Sequence, residues 1–168
     1  MASTLTARDV LVEAGVRGAD AAGSDQERAD LLKILPAFKD SLLEEIRDGD
    51  FPGILAKTYV FREGRKLGGG MVLTLQERAV ICWMKRLKRP AAEVVPLASI
   101  SSVELGHRRV TGKAKPAEAI VVEAAERWEL LFSPDVPAEA PLYGLLMGLL
   151  DGSVNPKHWP VDAPEGAR

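Results

Sequence analysis

The sequence predicts an α+β protein in which two helices precede about seven short antiparallel strands and one last helix. Apolar residues first recur at helical spacing. They are Leu31, Leu35, Phe38, Leu42 and Ile46. From residue 54 onward the pattern changes to short runs rich in β-branched and aromatic residues, separated by close turns. A second helical stripe follows the strands. It contains Leu142, Leu145, Leu146, Leu149 and Leu150.

The composition is that of a soluble globular domain. Apolar residues make up 46% and charged residues 27% of the 168 positions, enough for one packed core. No apolar run approaches the roughly 20 residues that span a bilayer, and the first 15 residues lack the pattern of a secretion signal. The single cysteine, Cys82, excludes an intrachain disulfide and favours a reducing compartment. We therefore expect a cytoplasmic protein, peripheral at the membrane if it binds lipid.

The N-terminal region reads as two helices. Thr6 and Asp9 stand three residues apart before an apolar run, which is a variant of the capping box. Gly15 and Gly18 predict that this first helix is short. Pro36 interrupts the stripe of the second helix and predicts either a kink or a joint between two helices.

The strands are predicted from apolar runs and turn residues. Gly68 to Gly70 are predicted to separate the first two strands. A turn is predicted at Gln76 and Glu77, and a tight hairpin at Ala125 and Glu126. The predicted strands are "ILAKTYVFR", "MVLTL", "RAVICWM", "EVVPL", "ISSVELG", "AIVVEAA" and "RWELLFS".

The strand "RAVICWM" is apolar on both alternating faces. Val80, Cys82 and Met84 lie on one side, and the residues between them, also apolar, lie on the other. A half-exposed strand would carry polar residues on one face. We expect the second face to be covered, either by the helical region 24–48 or by a second subunit.

From about residue 54 to 152 the sequence resembles the bacterial PH-like (pleckstrin-homology-like, GRAM-related) domains. The stretches "GGGMVLTLQERAVI", "VVPLASISSVELG" and "AIVVEAAERWELLFS" carry the resemblance. It implies a bent antiparallel sheet closed at one end by a C-terminal helix. Residues 1–50 are then a helical extension, 51–152 the PH-like domain and 153–168 an extended proline-rich tail. In the family the corresponding threonine and arginine are three positions apart. Here Thr74 and Arg78 are four positions apart, so the sequence departs from the family at this turn. Either the turn is one residue longer, or Leu75 takes the threonine position.

No residue pattern indicates catalysis or metal binding. His107, His158 and Cys82 have no metal-ligand spacing, and Cys82 reads as a buried strand residue. The stretch "GRKLGGG" lacks the order of a phosphate-binding loop and reads as a turn. We expect no enzyme activity, no catalytic residue, no metal and no cofactor.

Basic residues concentrate in the middle of the chain. Residues 51–116 hold 13 Lys or Arg against 4 Asp or Glu, whereas both flanking regions are acidic. The candidate anion-binding residues are Lys85, Arg86, Lys88, Arg89, Arg108 and Arg109. Each cation near an anionic membrane contributes about 1 kcal/mol, so the cluster 85–89 alone predicts weak, salt-sensitive binding. The alternative is that segment 85–89 is only a solvated strand end and not a binding site.

These observations favour a non-catalytic binding module. The first hypothesis is association with a protein partner or with a second copy of the chain. In that case the stripe Leu31 to Ile46 is either an interaction surface or part of the core. The second hypothesis is weak binding of an anionic lipid or phosphate headgroup through the basic segment 85–89. Nucleic acid is not expected as a partner, because Trp83 and Trp128 lie within strands and do not form an exposed stacking platform.

Overall fold

The computed structural model describes residues 5–21, 25–85, 89–108, 117–131, 146–148 and 150. Two helices come first, α1 (Ala7–Ala21) and α2 (Asp25–Glu44). A single helical turn, Leu97–Ser99, follows the fourth strand. The seven strands are β1 (Pro52–Arg62), β2 (Arg65–Leu75), β3 (Arg78–Met84), β4 (Pro90–Pro96), β5 (Ser102–Arg108), β6 (Ala117–Glu123) and β7 (Arg127–Leu131). Among the described helices, none combines the length and apolarity that crossing a membrane requires.

The strands form one antiparallel sheet in the order β4-β3-β2-β1-β7-β6-β5. β1 joins its two halves, because its last residues pair with both β2 and β7. The sheet is strongly curled. Trp83 on β3 and Trp128 on β7 are three strand spacings apart, about 14 Å in a flat sheet, yet their ring centroids are 5.9 Å apart. The predicted α+β class and antiparallel sheet are confirmed.

The inner face of the curled sheet forms the main core. Val72, Ile81 and Val95 from one half share a single apolar cluster with Ile120 and Trp128 from the other. Leu146 is helical and buried in the same cluster, with Met147 and Leu150 packed against it. Other residues of the predicted closing stripe, including Leu142, Leu145 and Leu149, lie outside the described residues. Closure of the sheet by a C-terminal helix therefore stays a prediction.

The two helices cover the outer face of β1–β3. Leu31, Phe38, Leu42 and Ile46 are buried, and Leu35 is half-buried beside them. They share a second apolar cluster with Leu55, Met71, Leu73, Val80 and Cys82 of the strands. The predicted two-sided burial of β3 is confirmed, and the covering element is the helical region of the same chain.

Helix α1 is longer than the sequence predicted, and the expectation of a short helix is wrong. The capping box forms as expected, since the Asp9 amide donates to Thr6 Oγ1 at 3.1 Å. The helix then continues through both glycines to Ala21. Gly18 lies against the backbone of β1, where a Cβ atom would sit 1.9 Å from the Leu55 carbonyl oxygen. Its missing side chain lets the helix approach the sheet this closely.

The two glycines of α1 should respond oppositely to alanine. Gly18→Ala should lower the free energy of unfolding by about 1–3 kcal/mol, because a fixed backbone oxygen occupies the new methyl position. Gly15→Ala should raise it by up to about 1 kcal/mol, since its nearest neighbours would be 3.8 Å away and alanine favours a helix. Urea unfolding of both variants measures the two changes. Equal losses would show that α1 does not pack in this way.

The three consecutive glycines lie within β2, so the prediction that they separate two strands is wrong. The turn is instead at Glu63 and Gly64, with φ angles of 52° and 81°. Two successive residues at positive φ match the tight hairpin turn that suits a twisted strand pair. Gly70 pairs with Trp83, and a Cβ atom there would lie 1.8 Å from the Cys82 carbonyl oxygen. Gly70 therefore serves close strand packing and not chain reversal.

The predictions for the turn at Gln76 and Glu77 and for Pro36 have different outcomes. The turn at Gln76 and Glu77 is confirmed, because β2 ends at Leu75 and β3 begins at Arg78. At Pro36 the sequence predicts a kink or a joint between two helices; α2 continues through it as one helix, which excludes the joint and leaves the kink a prediction. Pro36 is exposed, and the apolar residues on either side of it anchor the helix to the sheet.

Candidate functional site

Two hairpin turns meet at one end of the curled sheet. The Glu63 amide donates to the Arg127 carbonyl at 2.8 Å, and the Arg127 amide donates to Glu63 Oε2 at 2.6 Å. These bonds join the β1–β2 turn to the start of β7. β3 ends beside β2 at the same place, and the Lys85 amide donates to the Arg89 carbonyl at 2.8 Å. Side chains from both halves of the sheet therefore converge here.

Arg62 is the central side chain of this end. It is the last residue of β1 and is in phase with Val60, which points into the main core. Its Cζ atom lies 5.4 Å from the ring centroid of Trp83 and 5.4 Å from that of Trp128. A guanidinium within about 6 Å of an aromatic face is attracted by the ring quadrupole. The two tryptophans thus position the arginine at the mouth of the core.

Two carboxylates lie beside the Arg62 guanidinium. Nη1 is 3.6 Å from Glu93 Oε1 on β4, and Nε is 3.7 Å from Glu126 Oε2 in the β6–β7 turn. Both distances exceed the 2.7–3.2 Å of an ordinary hydrogen bond, so these are loose ion pairs. All three side chains are partly exposed. Arg62 is therefore accessible to a stronger acceptor.

A hollow of about 510 Å³ opens beside Arg62. We call it the basic hollow. Its charged lining comprises Arg62, Lys66, Lys85 and Glu93, three cations against one carboxylate. Its apolar wall consists of Leu67, Trp83, Ala91 and Ala92. Arg62 stands on β1, Lys66 on β2 and Lys85 just after β3, so three different strands bring basic residues to the hollow.

The structure brings together only part of the predicted basic cluster. Lys85 lines the basic hollow, and Arg89 is exposed but does not line it. Arg86, Lys88 and Arg109 lie outside the described residues. The backbone of Arg108 ends β5, the edge strand at the opposite end of the sheet order from β4. The six residues as a single anion site thus remain a prediction.

Sequence reasoning missed Arg62, Lys66 and Glu93 as site residues. A signal for Arg62 was available, since strand alternation places this charge in phase with a core residue. Lys66 was read as part of a glycine turn, whereas it is a strand residue whose Nζ also lies 5.4 Å from the Tyr59 ring centroid. Nothing in the sequence pattern indicated that Glu93 would reach Arg62.

Cys82 lies on the face of β3 that the helices cover, and its Sγ is 3.4 Å from the Met71 carbonyl oxygen. Burial raises the pKa of its thiol to about 12, so the thiol is protonated at neutral pH and is a poor nucleophile. Among the described residues, no group of three or more His, Cys, Asp or Glu is placed to hold a metal ion.

No protein-family model matches the chain, and no curated protein matches it by sequence. Solved structures of Vav1 are similar to it. One of them concerns the structural role of the PH and C1 domains of the Vav1 exchange factor. It is 15% identical to this chain, with a TM-score of 0.41, and the match covers 94% of this chain and 39% of that chain. A Vav1 structure with an allosteric inhibitor is 16% identical, with a TM-score of 0.38, and covers 81% and 35%. Autoinhibited Vav1 is 14% identical, with a TM-score of 0.37, and covers 83% and 28%. The chain thus spans less than half the length of each of these three Vav1 chains.

Proposed function

We propose that this chain is a non-catalytic binding module that holds a phosphate-bearing anion in the basic hollow. One observation carries the proposal. Arg62, Lys66 and Lys85 come from three separate strands or strand ends and line one hollow, and two carboxylates, Glu93 and Glu126, lie beside Arg62. Three basic residues that line one space give a higher local positive potential than the same charges spread over a surface. Guanidinium and ammonium groups are the usual partners of phosphate.

The energetics favour weak binding. Each of the three cations contributes about 1 kcal/mol toward an anionic surface, or about 3 kcal/mol together. Hydrogen bonds from Arg62 to phosphate oxygens would add to this, because its guanidinium can donate two parallel bonds. Leu67 and Trp83 form an apolar wall on one side of the hollow. We expect binding at low ionic strength that falls as salt screens the charges.

Sedimentation with lipid vesicles tests the proposal. The wild type should sediment with vesicles that contain phosphatidylserine and not with phosphatidylcholine alone. Lys66→Ala/Lys85→Ala should weaken this binding about 30-fold, which corresponds to two cations at about 1 kcal/mol each. The control is Lys33→Ala/Lys39→Ala, which removes the same charge from exposed positions on α2. Equal loss in both double variants would assign the binding to net charge and not to the hollow.

A titration with inorganic pyrophosphate separates the two sources of the anion. Shifts of the Trp83 indole N–H signal in the absence of lipid would show that the hollow accepts phosphate itself. Vesicle binding without any pyrophosphate response would show that it requires a lipid surface. Absence of both interactions in the wild type would contradict the proposal.

A second candidate is association with a protein partner through the solvent side of α1. Val12 and Val16 are four residues apart and remain 60% and 50% exposed. Residues at this spacing lie on one helix face. The stripe from Leu31 to Ile46 is committed to the core of the same chain, so this exposed pair is the better candidate for a protein contact. Crosslinking of a Val12→Cys variant to a second copy or to a partner would test it.

A further inference from the structure

We propose that Glu93 and Glu126 are internal competitors for Arg62, so that an anion enters the basic hollow only by displacing them. This inference rests on the proposed function, because it concerns the affinity of the same hollow. The tryptophan rings attract Arg62 through its guanidinium, and the two carboxylates lie near its nitrogen atoms. Those nitrogens are the donors that a phosphate would need.

The geometry of the two ion pairs makes them replaceable. At 3.6 and 3.7 Å, neither carboxylate has closed to hydrogen-bond distance. Phosphate oxygens can approach a guanidinium to about 2.7–2.9 Å and bind it through two donors. An ion pair between partly exposed side chains contributes little, so an anion of higher charge can take its place.

The competitors come from the two halves of the sheet. Glu93 stands on the edge strand β4, and Glu126 stands in the turn before β7. Neither is a neighbour of Arg62 in the sequence: the pairing of Arg62 with Trp128 on the adjacent strand brings Glu126 to it, and the curl of the sheet brings Glu93 from three strands away. Both would also repel an incoming anion as long as they stay charged. Together they keep the affinity of the hollow low.

Removing one competitor should therefore tighten binding. Glu93→Gln should lower the Kd for inorganic pyrophosphate about two- to fivefold, and Glu126→Gln should act in the same direction. The double variant should show the product of the two effects. Binding is measured by following the Trp83 indole N–H signal during titration of the full chain. Glu104→Gln is the control, because it removes one exposed carboxylate from β5 and should leave the Kd unchanged.

The outcomes separate this inference from the proposed function. Tighter binding in both glutamine variants, or binding that is detectable only in them, supports the competitor role. If the wild type binds pyrophosphate and the two variants bind no more tightly than Glu104→Gln, the competitor role is wrong and the anion site stands. If neither the wild type nor the variants bind pyrophosphate, the inference is overturned. Loss of vesicle binding as well would overturn the proposed function with it.

Discussion

Replacing Leu42 with aspartate should unfold the protein or detach α2 from the sheet. The Leu42 side chain is 0% exposed and lies in the apolar cluster between the helices and β1–β3. Loss of its packing alone costs about 2–5 kcal/mol. The new carboxylate would also be buried without a partner, which costs several kcal/mol more. The sum, above about 5 kcal/mol, approaches the whole stability of a typical domain.

Leu32→Asp is the matched control for this variant. It makes the same substitution on the same helix, and Leu32 is 51% exposed. Both variants lose the same helix propensity, so the difference between them isolates burial. Urea unfolding followed by circular dichroism should give a loss below about 1 kcal/mol for Leu32→Asp. Similar stabilities for the two variants would mean that α2 does not cover the sheet.

Asp50→Ala should lower the free energy of unfolding by about 3–5 kcal/mol, because it leaves a buried guanidinium without its buried carboxylate partner. Arg78 Nη2 donates to Asp50 Oδ2 at 2.8 Å and to the Glu45 carbonyl at 2.6 Å. The two ionised side chains are only 8% and 13% exposed. This pair ties the first residue of β3 to the segment that connects α2 with β1.

Two variants control for this prediction. Glu77 also lies 3.5 Å from Arg78 but is 70% exposed, so Glu77→Ala should cost less than about 0.5 kcal/mol. Asp50→Ala/Arg78→Met should be more stable than Asp50→Ala alone, because methionine removes the unpaired charge. A double variant that is as unstable as the sum of its single variants would show that the two residues do not interact.

The same ion pair predicts that the free energy of unfolding decreases at acidic pH. Burial opposes ionisation of Asp50, but hydrogen bonds from Arg78 and from the Arg47 amide outweigh it and lower the pKa of the carboxyl below 3.8. The pair therefore contributes its full stability above about pH 4. That contribution is lost as the pH falls from there toward the lower pKa of the folded state. Unfolding at several pH values should show a shallower acid decline in Asp50→Ala than in the wild type.

Residue spacing in the sequence was enough to predict the elements that local patterns determine. The stripe from Leu31 to Ile46, the capping box of Thr6 and Asp9, and the turn at Gln76 all formed as expected. The apolar character of both faces of β3 also predicted a covering layer correctly. Periodicity carries this information because it fixes which side chains share a face before any tertiary contact exists.

Glycine gave wrong predictions where packing overrides local preference. Gly15 and Gly18 predicted a short α1, and Gly68 to Gly70 predicted a turn, yet both stretches continue as regular structure. In each case a close backbone neighbour requires the missing side chain, the Leu55 carbonyl for Gly18 and the Cys82 carbonyl for Gly70. A single sequence shows only the propensity of these residues and not what lies opposite them.

The candidate site was decided by the tertiary structure. Arg62 and Trp128 are paired on adjacent strands, whereas Trp83 and Glu93 meet them only because the sheet curls until its two halves share one core. Likewise, nothing local connects Asp50 with Arg78. The sequence by itself determined the helices, most of the strands and the basic character of the middle region. Which charges meet, and which remain open to a ligand, depended on strand order and curvature, because those contacts join residues that are distant along the chain.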